Sequence, residues 1–268
     1  MIPKRYWMEM TWEDFHDGNP EDWIAVLPVA AIEQHGPHLP VGVDTYIAEG
    51  YLHRVMEMLP QSLPATFLPV QAIGKSDEHL SFPGTLTLSP ETTIRAWTEI
   101  GESVHRAGVK KLVIVNSHGG NSPVIDIVAQ NLRTRLGLFV VMTSWHRLGY
   151  PEGLFSKEEI AHGIHGGEIE TSLMLWLKTE TVRPDIGDGK SISTEMEREF
   201  DRLRAFRPAG FAWMTQDLNA SGVAGNARAA TLDKGAAALN HGAKAFVELL
   251  VDVQRFDLRR LKDGPLKG

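Results

Sequence analysis

The segment LPVAAIEQHGPHLPVGVDT, residues 27–45, ends an apolar run and continues into a loop rich in carboxylate and imidazole side chains. Glu33, His35, His38 and Asp44 are interspersed with glycines and prolines, which restrict the backbone of the loop. Such oxygen and nitrogen donors suit zinc, manganese or iron, and a carboxylate can bridge two ions. The same residue types are common in polar surface loops, so the rest of the chain must decide between the two interpretations.

The composition limits the class of protein. The 268 residues include 43% hydrophobic and 23% charged side chains, which is typical of a globular protein with a sizeable core. A formal net charge of -7 and the lack of a basic run argue against binding to nucleic acid or to an anionic membrane. Because the chain has no cysteine, any metal must be held by Asp, Glu and His.

Targeting signals and domain boundaries are not evident in the sequence. The first fifteen residues contain no apolar signal-peptide core, and no segment approaches eighteen uninterrupted apolar residues. We therefore expect a soluble, cytoplasmic protein that contacts neither membrane nor nucleic acid. With no repeat or low-complexity linker, residues 1–268 are predicted to form a single domain.

Short apolar runs alternate with amphipathic segments along most of the chain. Strands are predicted at residues 23–30, 65–70, 111–116 and 139–145. Helices are predicted after Asp44, Ser89 and Gly119, and then at residues 161–177, 194–204 and 232–253, the second of these opening on a capping box of Thr194 and Glu197. This alternation predicts a three-layer α/β/α fold with a mostly parallel central sheet.

Candidate functional residues directly follow several of the predicted strands. Glu33 and His35 follow the first strand, His118 follows the third, and Trp145 closes the fourth. Ligands of open α/β sheets bind outside the carboxyl ends of the strands, so these residues are expected to converge at one edge. The run HGGEIETS, residues 165–172, adds another group of histidine and glutamate.

Each motif has a structural explanation when it is considered alone. His118 suits a helix start, and acidic residues in HGGEIETS suit a first helical turn. The first strand-to-helix turn lacks GxGxxG, which argues against a dinucleotide cofactor. Several clusters at equivalent strand ends together favour a metal hydrolase. A dinuclear phosphoesterase or isomerase and a non-catalytic, metal-stabilised binding protein are the alternatives, although no basic phosphate clamp is evident.

Four motifs in consistent order, over about residues 11–177, resemble the creatininase family of metal-dependent amidohydrolases. They are LPVAAIEQHGPHLPVGVD, FPGT at residues 82–85, NSHGGN at residues 116–121, and HGGEIETS. The resemblance implies two divalent ions per chain, with zinc expected and manganese or iron as alternatives, and a homo-oligomer, usually a hexamer. By motif, Glu33 and His118 bind one ion, His35 binds the other, and Asp44 bridges them.

The chain departs from creatininase itself at Gly120, where that enzyme has a second glutamate ligand. We predict that Glu168 replaces this carboxylate on the ion held by His35. His165 matches the catalytic histidine of the family, and Glu170 is predicted to orient it. Glu168 and Glu170 are two positions apart, about 200° around a regular helix, so the two roles are kept separate.

Two aromatic positions concern the substrate. Creatininase stacks its ring between tryptophans, of which Trp145 matches one and Ala161 replaces the other, so creatinine is a doubtful substrate. His79 is predicted either to contact the substrate or to be structural. The predicted activity is hydrolysis of a non-peptide C–N bond in a small-molecule amide, a cyclic amide or a formamide, by a hydroxide that bridges the two ions. Creatinine amidohydrolase proper is kept as an alternative.

Overall fold

Four parallel strands form the central sheet of the computed structural model, which describes residues 2–186, 189–262 and 264. The strands are β1 (Ile24–Val29), β2 (Ala65–Phe67), β3 (Lys111–Asn116) and β4 (Phe139–Ser144), in the order β2-β1-β3-β4. All residues of the two central strands are buried, as expected for parallel strands covered on both faces. The predicted strands agree with these bounds, except that the second is shorter.

Helices cover both faces of this sheet. In chain order they are α1 (Trp12–Asp17), α2 (Val43–Met58), α3 (Pro90–Arg106), α4 (Ser122–Leu136), α5 (Lys157–His162), α6 (Glu168–Leu177), α7 (Ile192–Glu199), α8 (Thr215–Leu218) and α9 (Leu232–Arg255). One core packs α2, α6 and α9 against Ile24 and Val26, and the other packs α3 and α4 against Ala25 and Leu27. Alternate residues of β1 therefore face opposite cores, which confirms the three-layer α/β/α prediction.

The longest of these helices, α9, is tied to the sheet at its carboxyl end. The Lys111 ammonium donates to the carbonyl oxygens of Val253 at 2.7 Å, Gln254 at 2.8 Å and Phe256 at 3.0 Å. A cation there satisfies carbonyls that have no partner within the helix and interacts favourably with the helix dipole. In the described part of the chain, no helix combines the length and the apolar character that crossing a bilayer requires.

The helix predicted over residues 161–177 is interrupted in the structure. It is replaced by α5 and α6, with residues 163–167 between them. Gly166 has a φ of 62°, a left-handed conformation that glycine adopts at little cost. In this interruption the His165 amide donates to the Ala224 carbonyl at 3.1 Å, and the Ala224 amide donates back at 2.7 Å. The glycines of HGIHGG thus allow the chain to leave the helix at His165, which is 6% exposed and lies in an extended segment.

The capping box predicted at Thr194 is wrong. The helix begins earlier, and the Ser191 hydroxyl accepts the Ser193 amide at the start of α7. Glu197 instead contacts His162, with 2.8 Å between Glu197 Oε2 and His162 Nε2. The helix also ends before residue 204, because Leu203–Arg204 pairs as β5 with β6 (Ala209–Gly210) in a small second sheet.

Candidate metal centre

The predicted ligands come together beyond the carboxyl ends of β1 and β3. Glu33 and His35 lie in the loop after β1, His118 lies just after β3, and Asp44 lies in the first turn of α2. Their relative exposures are 1% for Glu33, 0% for His35, 5% for His118 and 1% for Asp44. Two carboxylates and two imidazoles are thus removed from water in one place, which is costly unless their charges and lone pairs find partners.

Glu33 lies at the centre of this group. Its Oε1 atom is 3.1 Å from His118 Nδ1, 3.3 Å from His79 Nε2, 3.6 Å from His165 Nδ1 and 4.0 Å from His35 Nε2. Its other oxygen, Oε2, accepts a hydrogen bond from the hydroxyl of Ser76 at 2.6 Å. One carboxylate oxygen of Glu33 therefore faces four imidazoles while the second is held in place.

A second part of the cluster surrounds His35. His35 Nε2 is 3.9 Å from Asp44 Oδ2 and 3.8 Å from Glu170 Oε2. The same Asp44 oxygen is 3.9 Å from His118 Nδ1, so it lies between the two imidazoles. His35 Nε2 and Asp44 Oδ2 are buried and have no hydrogen-bond partner among the described residues. Polar atoms in this situation are typical of a site for a ligand or an ion.

Backbone carbonyls fix the tautomers of three imidazoles. His35 Nδ1 donates to the Glu33 carbonyl at 3.0 Å, His118 Nε2 donates to the Lys75 carbonyl at 3.0 Å, and His165 Nε2 donates to the Gln34 carbonyl. Since a carbonyl oxygen only accepts, each bonded nitrogen carries the proton. In the neutral ring the other nitrogen is unprotonated and faces the carboxylates, an arrangement that favours a metal cation between them.

The ionisation of the cluster supports the same interpretation. Burial and the neighbouring Glu33 raise the pKa of Asp44 well above its ordinary value, and burial raises the pKa of Glu170. Burial lowers the pKa of His35 well below its ordinary value, and the nearby His165 adds to this effect. A neutral imidazole beside carboxylates that resist ionisation is a suitable environment for a dication, which would stabilise the carboxylates in their charged form.

The two glutamates of HGGEIETS point in different directions. Glu168 forms an ion pair with Lys234 of α9, and its amide donates to Glu159 Oε1 at 2.7 Å. Glu170 instead faces His35, and its Oε2 accepts the Gly166 amide at 2.5 Å. The carboxylates are separated as their spacing requires, but their surroundings are the reverse of those expected for Glu168 as the ligand and Glu170 as the orienting residue.

His79 lies inside the cluster rather than at its rim. It is 2% exposed, and its Nδ1 is 2.9 Å from Gln34 Nε2 and 2.8 Å from Thr215 Oγ1. The Gln34 amide nitrogen donates, so Nδ1 accepts and Nε2 carries the proton that faces Glu33. His79 thus differs from the other three histidines, because it presents a donor to the carboxylate instead of a lone pair.

Trp145 lies in the core and not at the site. Its ring is 3% exposed, stacks on Tyr51 with a centroid distance of 4.3 Å, and contacts Phe246 at 5.0 Å. Tyr51 belongs to α2 and Phe246 to α9. This position does not match the substrate contact expected for Trp145, because packing of the ring between two helices leaves no face for a ligand.

Several residues around the site are not evident from the sequence patterns. Asn116 Oδ1 accepts the His118 amide at 3.0 Å, and Asn121 donates to the Ala30 carbonyl at 3.0 Å, so the two asparagines of NSHGGN brace the loop. Glu78 Oε1 lies 3.4 Å from His118 Nε2. The acidic pair beside His79 in SDEH was the available sequence signal for Glu78.

Described residues line two cavities that are candidates for substrate access. A cavity of about 360 Å³ is lined by Gln34, Gly36, Pro37, Leu39, Val41, Phe82, Pro83 and Ser221. It adjoins the cluster, since the Gln34 carbonyl accepts from His165. A larger cavity of about 520 Å³ surrounds Glu159 and His162, and none of its lining residues belongs to the carboxylate and imidazole cluster. The smaller, mainly apolar cavity is therefore the better candidate for substrate access.

Comparison with known proteins adds independent evidence. A family model described as creatinine amidohydrolase matches residues 8–250. A mycofactocin precursor peptide peptidase from Mycobacterium ulcerans (strain Agy99) is 30% identical over 240 residues, covering 87% of this chain and 84% of that protein. A creatinine amidohydrolase from Pseudomonas putida is 32% identical over 195 residues, covering 66% of this chain and 73% of that protein. A solved structure named creatininase Mn aligns with a TM-score of 0.71 and 25% identity, covering 93% of this chain and 98% of that chain. The chain therefore belongs to the creatininase family of hydrolases.

Proposed function

We propose that the protein is a metal-dependent amidohydrolase with two divalent ions held by Glu33, His35, Asp44, His118 and Glu170. The observation that carries the proposal is the set of imidazole nitrogens, held in orientation by backbone carbonyls, that face carboxylates largely removed from water. Glu33 and His118 would hold one ion, His35 and Glu170 would hold the other, and Asp44 would supply a ligand to both. In this assignment Glu170 takes the ligand position that the motif analysis predicted for Glu168.

The geometry around Asp44 favours a bridging role. Its Oδ2 atom is 3.9 Å from His35 Nε2 and 3.9 Å from His118 Nδ1, and it has no other partner among the described residues. Zinc or manganese suits these nitrogen and oxygen donors. Ions bound here would activate a water and polarise the amide carbonyl, which is the chemistry that amide hydrolysis needs.

His165 is positioned to move protons at the site. Its Nε2–H is fixed on the Gln34 carbonyl, so Nδ1, 3.6 Å from Glu33 Oε1, is the ring atom that faces the reacting groups. Nδ1 accepts a proton from the attacking water and returns it to the leaving nitrogen, so that the amine departs neutral. His79 donates towards Glu33 from the other side and keeps that carboxylate turned into the cluster.

The substrate class is an amide with a carbon–nitrogen bond accessible from the apolar cavity beside Gln34. A cyclic amide or a formamide remains our first choice. Cleavage of a peptide bond is the second, and it is favoured by the relative from Mycobacterium ulcerans, whose name describes a peptide peptidase. Creatinine is expected to be a poor substrate, because Trp145 stacks on Tyr51 in the core and Ala161 provides no aromatic surface.

The test is a metal and substrate screen on chelated, then reloaded, protein. We expect about two zinc or manganese ions per chain and metal-dependent hydrolysis in a panel of lactams, formamides, creatinine and short peptides. Asp44→Asn should lose most of the bound metal, whereas Glu49→Gln, an exposed carboxylate on the same helix, should keep it. Less than one ion per chain in the parent protein, or equal hydrolysis after chelation, would contradict the proposal.

A further inference from the structure

A third carboxylate contacts His118 from the side opposite the cluster. Glu78 lies in a short 3-10 turn, Asp77–His79, between β2 and α3, and its side chain is 14% exposed. Its Oε1 atom is 3.4 Å from His118 Nε2, the ring nitrogen that also donates to the Lys75 carbonyl. The opposite nitrogen, Nδ1, faces Glu33 at 3.1 Å. The imidazole is therefore held between a carboxylate on each side.

Other groups hold this carboxylate in place. Lys75 Nζ is 3.1 Å from Glu78 Oε2, and the Thr215 hydroxyl donates to the Glu78 carbonyl at 2.9 Å. The neighbouring Asp77 is 3.5 Å from the same lysine but is 42% exposed. Asp77 and Glu78 thus share the ammonium of Lys75, but only Glu78 also contacts the imidazole of His118.

The space that Glu78 occupies depends on Gly120. A Cβ atom added at Gly120 would overlap Glu78 Oε1 and His118 Nε2, and would lie 2.9 Å from the Lys75 carbonyl oxygen. The preceding Gly119 has no atom within 4 Å of its added Cβ. Gly120 does not have a positive φ, so the lack of space, and not the backbone conformation, requires glycine here.

We propose that Glu78 is a positioning residue for His118, and that Glu78 and a side chain at position 120 exclude each other. Creatininase itself has a glutamate at the position of Gly120. In this chain Gly120 has no side chain, which leaves room beside His118 for the carboxylate of Glu78 from a different loop. This inference rests on the proposed function, because it assigns Glu78 to a ligand of the metal site.

The physical reason is the orientation of the ring. A carboxylate on the far nitrogen fixes the tautomer and the direction of the imidazole and makes the near nitrogen a better donor. Loss of such a partner typically weakens metal binding about 10- to 100-fold without removing the site. The expected signature is therefore a change in affinity at unchanged stoichiometry, which separates a positioning residue from a ligand.

The first experiment measures zinc affinity by competition with a chelator, starting from metal-free protein. Glu78→Gln should bind two ions per chain, with one of them held about 10- to 100-fold more weakly. Asp77→Asn is the matched control, because it is adjacent and shares Lys75 but does not contact His118, and it should bind like the parent. Unchanged affinity in Glu78→Gln, or an equal loss in Asp77→Asn, would overturn the positioning role.

The second experiment tests mutual exclusion by thermal unfolding of the chelated protein. Gly120→Ala should lower Tm by about 5 °C, since overpacking at this point must displace Glu78 or His118. The same change in a Glu78→Ala background should lower Tm by less than half as much, because the ring can move into the vacated space. Gly119→Ala is the control and should cause little change. If the losses in Tm caused by Gly120→Ala and by Glu78→Ala simply add in the double variant, the proposed exclusion is overturned.

The two experiments also separate this inference from the proposed function. A parent protein that takes up no metal would contradict the proposed function and the positioning role together. A parent with two ions, and Glu78→Gln with unchanged affinity, would contradict the positioning role alone. The thermal cycle uses chelated protein, so it decides the mutual exclusion in either case.

Discussion

Glu168 and Glu170 lie two residues apart at the start of α6, but they face different partners. Glu168 contacts the ammonium of Lys234, which balances the negative charge of its carboxylate. Glu170 faces the unprotonated nitrogen of His35 at 3.8 Å. A carboxylate with an ammonium partner needs no further cation, whereas a carboxylate that faces lone pairs does. A metal ligand is therefore identified by its partners and not by its residue type.

The largest effect that this comparison predicts is the loss of a metal from one glutamate variant and not the other. Glu170→Gln should bind about one ion per chain and lose at least about 10³-fold in activity, because a metal contributes several kcal/mol to the reaction. Glu168→Gln should keep two ions. Elemental analysis of the two proteins checks this. If Glu168→Gln loses the ion and Glu170→Gln keeps it, the assignment is reversed.

A smaller effect on rate is expected at the interruption between α5 and α6. His165→Asn removes the proton carrier at Nδ1 and should lower kcat about 10²-fold while both ions remain bound. His162, which precedes the interruption and contacts Ser193 and Glu197, supplies the control. His162→Asn should keep kcat close to that of the parent. Loss of an ion from His165→Asn would show that His165 is a ligand.

The ion pair on the other face of α6 should affect stability. Glu168 is 5% exposed and Lys234 is 30% exposed, so water screens the pair only in part. Lys234→Met should lower the free energy of unfolding by about 1–2 kcal/mol, because it leaves the Glu168 carboxylate buried without its cation. The Tm should fall by about 2–8 °C for a chain of this size. Retention of two ions in this variant would confirm that the pair is separate from the metal site.

The smallest effect expected is a pH dependence of the metal-free protein. Burial raises the pKa of Asp44 and of Glu170. Burial lowers the pKa of His118, but the carboxylates around the ring together raise it well above its ordinary value. A group with a raised pKa stabilises the folded state below its unfolded pKa, and this contribution is lost as the pH rises through its folded pKa. Above pH 6.5, the ordinary pKa of His118, the Tm of chelated protein should therefore fall as the pH rises, by about 2–4 °C per kcal/mol of stability lost.

Groups with lowered pKa do not disturb this window. Burial lowers the pKa of His35 and His79 below the ordinary 6.5, so above that value they are neutral in both the folded and the unfolded protein. With two ions bound, the carboxylates are already deprotonated and the Tm should stay nearly constant over the same range. A chelated protein with a constant Tm over this range would show that the pKa values of Asp44, Glu170 and His118 are not raised in the folded protein.

The fold and the edge where the site lies could be predicted from local patterns. The apolar run before Glu33 and the run before His118 form the two central strands, and their ends meet at one edge because the sheet is parallel. Both patterns extend over only a few residues, so they can be recognised in the sequence without knowledge of contacts between distant segments. Glu33, His35, Asp44 and His118 come together for this reason.

The tertiary structure alone decided which glutamate faces the site, where Trp145 lies and what contacts His118. The direction of Glu168 depends on Lys234, 66 positions later in the chain, and Trp145 is covered by α9. Glu78 contacts His118 from a loop that lies 40 positions earlier in the chain. Helix periodicity shows that two side chains point in different directions, but the packing of distant segments decides which one meets its partner.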